Sequence, residues 1–134
     1  MLACAELFAR DLEAKELHFS VSQTDDGGDI IKFPYDNRMT TCIFKGEDGR
    51  YLSMYTVVER VPADKLSDMY AVCNAINARY KWLKFYVDED NDLMVEDDAI
   101  LSVESAAEES FELLMRRLNI MKETKAEIMR VIYS

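Results

Sequence analysis

Trp82-Leu83-Lys84-Phe85-Tyr86-Val87, then Asp88-Glu89-Asp90-Asn91-Asp92, then Leu93-Met94-Val95: these residues read as a strand, an acidic turn and a returning strand. β-Branched and aromatic residues fill both arms, and Asn91 tolerates the left-handed conformation of a tight turn. The hairpin decides the fold because a helix leads into it. From Ala63 to about Arg79, Leu66, Met69, Tyr70, Cys73 and Ile76 recur at helical spacing, and Pro62 suits the start of the helix. The whole stretch from Pro62 to Leu101 joins two halves of the chain.

Upstream, Leu2, Ala5, Phe8, Ala9 and Leu12 mark an amphipathic helix over residues 2–17. His18 to Ser22 reads as an optional short strand before the break at Asp25-Asp26-Gly27-Gly28. Three strands follow, over 29–35, 39–45 and 50–61, joined by short turns at Asp36-Asn37-Arg38 and Gly46-Glu47-Asp48-Gly49. Downstream, Phe111, Leu114, Leu118, Met121, Ile128 and Ile132 line a long helix from about Glu104 to Ile132. The order is α-β-β-β-α-β-β-α, an α+β fold with an antiparallel sheet packed against helices. The 134 residues contain no linker or internal repeat, so one domain over 1–134 is expected.

Composition narrows the function. Sixteen Lys and Arg stand against 26 Asp and Glu, a formal net charge of −10. Phosphate backbones and anionic membranes need clustered cations, so neither nucleic acid nor a membrane is an expected partner. No apolar run approaches the roughly 20 residues that span a bilayer. Met1-Leu2-Ala3-Cys4-Ala5 lacks the basic and apolar regions that precede a lipoprotein cleavage site. The three cysteines form no C-x-x-C pair; Cys42 and Cys73 read as small buried hydrophobes, and the protein as reduced and cytoplasmic.

Chemistry-bearing motifs are absent. There is no Gly-rich phosphate loop, nucleophile elbow or H-E-x-x-H, and the lone His18 has no partner at a recognisable spacing. Asp88, Asp90 and Asp92 have the alternation of a calcium loop. Leu93 stands where that loop needs Gly, and Ala99 where it needs Glu, so the run reads as a solvated turn. Glu96-Asp97-Asp98 reads as charged surface. The eight methionines mostly fall at core spacing. No cofactor, metal or catalytic residue is expected.

The 62–101 stretch resembles the YbjN family of bacterial proteins, which shares the fold of type III secretion chaperones. The resemblance rests on Arg60-Val61-Pro62 at a strand end, on Asn74, Asn77 and Arg79 at the helix end, and on Phe85-Tyr86-Val87-Asp88 before the acidic turn. It implies a non-enzymatic protein-binding module, chaperone-like or a regulatory adaptor in a bacterial cytoplasm, and often a homodimer. The alternatives are a small-molecule-sensing domain, marked by a cavity between sheet and helices, and an enzyme without a recognisable motif.

Period-two alternation supplies the candidate surface. Leu52, Met54, Thr56 and Val58 share one sheet face with Leu83, Phe85 and Val87. Tyr51, Ser53, Tyr55 and Val57 share the other with Trp82, Lys84 and Tyr86. Residues with an apolar body and a polar tip suit interfaces. Tyr51, Tyr55, Trp82 and Tyr86 are therefore the expected partner or dimer interface, unless the 63–79 helix covers them.

Overall fold

The computed structural model describes residues 1–134. Helix α1 spans Ala3–Ala14, and strands β1 to β4 span Ser20–Gln23, Asp29–Tyr35, Arg38–Lys45 and Tyr51–Arg60. Helix α2 (Leu66–Arg79), strands β5 (Lys84–Val87) and β6 (Asp92–Ile100), and helix α3 (Ala106–Ile132) complete the chain. The optional strand after α1 is present. β5 starts two residues later than the alternation predicts, because Trp82 has φ +83 and breaks the extended run. β6 runs on to Ile100, five residues past Val95, because it pairs with β4 along nearly all of that strand's length.

All six strands form one antiparallel sheet in the order β1-β2-β3-β4-β6-β5. β6 lies between β4 and β5, so those two strands run parallel and α2 is the crossover that parallel neighbours require. Asp36 and Asn37, with φ of +53 and +60, give β2 and β3 the tight two-residue turn whose twist matches a hairpin. No helix is long and apolar enough to cross a membrane.

All three helices lie on one face of the sheet. α1 and the first half of α3 enclose Phe8, Leu12, Phe44, Met54 and Leu114. α2 and the second half of α3 enclose Met69, Ile76, Phe85, Leu93 and Ile128. At roughly 25 cal/mol per Å², each such side chain contributes about 2 kcal/mol. α3, at ~40 Å, is long enough to serve both clusters. Since α2 sits on the same face as its fellow helices, it does not cover the opposite one.

The residues that carry the family resemblance hold the far edge of the sheet together. Asn77 of α2 accepts a hydrogen bond from the Phe85 N–H (2.8 Å) and donates to the Phe85 carbonyl (3.0 Å). Its amide thus takes the place of a neighbouring strand on the outer side of β5. Arg79 pairs with Glu127 of α3. Asp88 accepts from the backbone N–H groups of Asp90 (3.0 Å) and Asp92 (2.9 Å), so it closes the acidic turn from within.

One expectation fails in the core. Asp97 is not charged surface: it is buried beside the fully buried Arg117 of α3. Arg117 Nε donates to Asp97 Oδ1 at 2.7 Å, and Nη1 donates to Thr40 Oγ1 at 3.1 Å and to Thr56. Nη2 reaches the Val95 carbonyl at 2.9 Å. Asp97 occupies an inward register position opposite Met54, and β6 continues through the acidic cluster, so alternation turns this carboxylate inward. Burial raises its pKa to about 6, outweighing the downward pull of Arg117. Asp97 Oδ2 has no hydrogen-bond partner.

Candidate protein-binding face

The face of the sheet without helices is built by the second half of each strand's alternation. Its central strands bring Tyr51, Ser53, Tyr55 and Val57 of β4 opposite Ile100, Asp98, Glu96 and Met94 of β6. On the other side of β4, Lys45, Ile43 and Thr41 of β3 oppose Tyr51, Ser53 and Tyr55. β5 adds Lys84 opposite Glu96 and Tyr86 opposite Met94.

Large apolar groups remain in water here: Tyr51 is 57% exposed, Val57 52%, Met39 45% and Ile100 72%. They form two patches. Tyr51 and Ile100 lie at one end, and Met39, Val57 and Met94 lie toward the other. Between them a polar strip runs through Ser53, whose hydroxyl donates to Asp98 Oδ1 at 2.6 Å. Gly46, at φ +77, leaves room for the Tyr51 ring that a Cβ there would strike.

Tyr86 is also held electrostatically. Tyr86 Oη donates to Glu96 Oε1 at 2.9 Å, and Lys84 Nζ lies 3.8 Å from the second carboxylate oxygen. Desolvation, followed by the Glu96 hydrogen bond, pushes the Tyr86 phenol up to about 12. It therefore remains a neutral donor at physiological pH. Such a surface can bury aromatic bodies against a partner and offer carboxylates and hydroxyls for hydrogen bonds.

The structure brings together three of the four expected residues. Tyr51, Tyr55 and Tyr86 share the open face. Trp82 does not join them, because its positive φ takes it out of the strand alternation. It sits before β5 with the Arg116 guanidinium of α3 5.7 Å from its ring centroid. Met39, Met94 and Ile100 are additional members. The sequence placed β4's own residues on this face, but which residues of β3 and β6 stand beside them depends on strand order and register.

The family model for YbjN, described as "putative bacterial sensory transduction regulator", matches residues 5–128. No curated protein matches the sequence. Among solved structures, the chain is similar to one in the ExsC–ExsE complex, with TM-score 0.55 and 17% identity over 88% of this chain and 90% of that one. It is also similar to one in the complex of the Yersinia pestis type III secretion chaperone SycH with a stable fragment of YscM2. There the TM-score is 0.51 and the identity 10%, over 87% of this chain and 98% of that one. YbjN from E. coli aligns at TM-score 0.49 and 17% identity, over 92% of each chain. The α+β fold is thus that of type III secretion chaperones.

Proposed function

This chain belongs to the YbjN family, and we propose that it is a non-enzymatic protein-binding module, chaperone-like or a regulatory adaptor, working in a bacterial cytoplasm as a single domain. The observation that carries this reading is the uncovered sheet face with Tyr51, Val57, Met39 and Ile100 in water. The six strands span ~24 Å across the sheet and average seven residues, ~23 Å, along it. Their product is on the order of 550 Å², the low end of what one partner contributes to a specific interface. The two chaperone-fold neighbours whose structures are complexes with other proteins agree with a partner-binding role.

The first partner to test is a second copy of the chain, because an isologous pairing places the same patch on both sides. The double variant Val57→Asp/Ile100→Asp introduces two charges on solvent-facing positions without touching the core. Light scattering after size exclusion should give a dimer mass for the wild-type protein and a monomer mass for the variant. A dimer that persists in a folded variant removes self-association through this face. A wild-type monomer leaves the face to a different protein.

A further inference from the structure

On the helix side of the sheet, α1 and α2 leave a corner uncovered where α3 passes the β2–β3 hairpin. A recess of about 550 Å³ opens there. Among the residues lining it are Phe85, Leu118 and Ile128, which are only 2%, 8% and 1% exposed. These three form its floor, and the half-buried Val58, Met121 and Met129 supply the apolar surface that remains accessible. Val58 enters the wall because alternation along β4 puts it on the helix side with Leu52, Met54 and Thr56, and the bulge between Val57 and Glu59 follows it. Arg38 Nε donates to the Val58 carbonyl at 2.8 Å, which fixes the guanidinium at the rim.

The rim is cationic in a chain whose net charge is −10. Arg38, Lys122 and Lys125 line the recess with Asp36 as the sole carboxylate. α3 separates its charges to achieve this. Glu123 and Glu127 turn toward α2, where they meet Tyr80 and Arg79. Lys122 and Lys125 turn toward the hairpin. Asp36 Oδ2 lies 3.1 Å from Lys125 Nζ and 3.8 Å from Arg38 Nη1, so these cations already converge on a carboxylate oxygen. Arg38 also lies 3.9 Å from Glu59, whereas Lys122 has no carboxylate within salt-bridge distance.

We propose that this recess binds a free medium-chain carboxylate, with its alkyl chain against Val58, Met121 and Met129 and its head group held by Lys122 and Lys125. Size favours a small molecule over a docked peptide helix. A helix ~10 Å across takes up about 120 Å³ per residue, so the recess would hold little more than one turn. Its volume lies within the roughly 300–1,000 Å³ usual for small-ligand sites. A saturated chain matches the apolar wall, and a carboxylate matches the rim that already holds Asp36. The proposal is independent of the open sheet face.

The test is calorimetric titration of the full chain with octanoate below its micelle concentration, beside octanol and acetate. Saturable binding of octanoate is expected, about tenfold tighter than octanol, with acetate not measurable. The variant Lys122→Glu/Lys125→Glu changes only exposed side chains and should lose about tenfold for octanoate while leaving octanol unchanged. Amide NMR shifts should concentrate on Met121 to Met129 and on Phe85. Equal affinity for octanol and octanoate, wild-type affinity in the double variant, or shifts confined to the open sheet face would overturn the proposal. So would binding to anionic vesicles, or to an acidic amphipathic peptide, in the absence of any octanoate binding.

Discussion

Replacing Arg117 with Met removes the one cation inside the core while keeping an unbranched apolar stem of similar reach. The guanidinium holds Asp97, Thr40, Thr56 and the Val95 carbonyl at the centre of the sheet. Its loss leaves a buried carboxylate unpaired, which costs about 3–5 kcal/mol. The pH dependence separates this cause from a mere packing defect. In the wild-type protein burial lifts the folded pKa of Asp97 to about 6, from an ordinary carboxyl value of 3.8. The folded state therefore holds a proton that the unfolded state has lost, and stability falls as pH rises through that window. The shift corresponds to about 3 kcal/mol.

Without Arg117 the folded pKa rises further, so the penalty is small where Asp97 is protonated and full once it must ionise. Urea unfolding followed by circular dichroism should show Arg117→Met costing about 1–2 kcal/mol near pH 5 and about 3–5 kcal/mol near pH 7.5. Adding Asp97→Asn should flatten the difference. A cost below about 1 kcal/mol at neutral pH, or an equal cost at both values, would refute the account of the buried pair.

Three further outcomes follow from single contacts. Asn77→Ala should destabilise the chain by about 1–3 kcal/mol, since both backbone groups of Phe85 lose their partner, and amide exchange at Phe85 should accelerate with it. Asp88→Ala frees two N–H groups at the β5–β6 turn and should cost about 1 kcal/mol by the same unfolding assay. Burial pushes the thiols of Cys42 and Cys73 up to about 12 and about 11, so they should react with a thiol reagent only as fast as the protein unfolds. Rapid labelling of native Cys42 would contradict its place in the core.

Much of this arrangement is written locally in the chain. Alternation in β4 separates Leu52, Met54 and Thr56 from Tyr51, Tyr55 and Val57, and the structure keeps that division. Helical spacing likewise identifies Leu114, Leu118 and Ile128 as inward-facing residues of α3. Two kinds of information are not local. Trp82 leaves the tyrosine row because of one left-handed backbone angle, at a residue type that does not advertise it. Asp97 and Arg117 look like members of charged runs, and only the pairing of β6 with β4 beneath α3 turns both inward. The cationic recess is of the same kind, since the tight Asp36-Asn37 turn and the Arg38 hydrogen bond to the Val58 carbonyl hold Arg38 beside two lysines far along the chain.

The central claim is that the open sheet face binds protein, and comparative capture tests it most directly. Immobilised wild-type chain, Val57→Asp/Ile100→Asp and Lys122→Glu/Lys125→Glu would each be exposed to lysate of the native cell, with quantitative mass spectrometry of what each retains. The account predicts specific proteins retained by the wild-type chain and by the recess variant, and lost from the sheet-face variant. Equal retention by all three, with every variant folded, would contradict it.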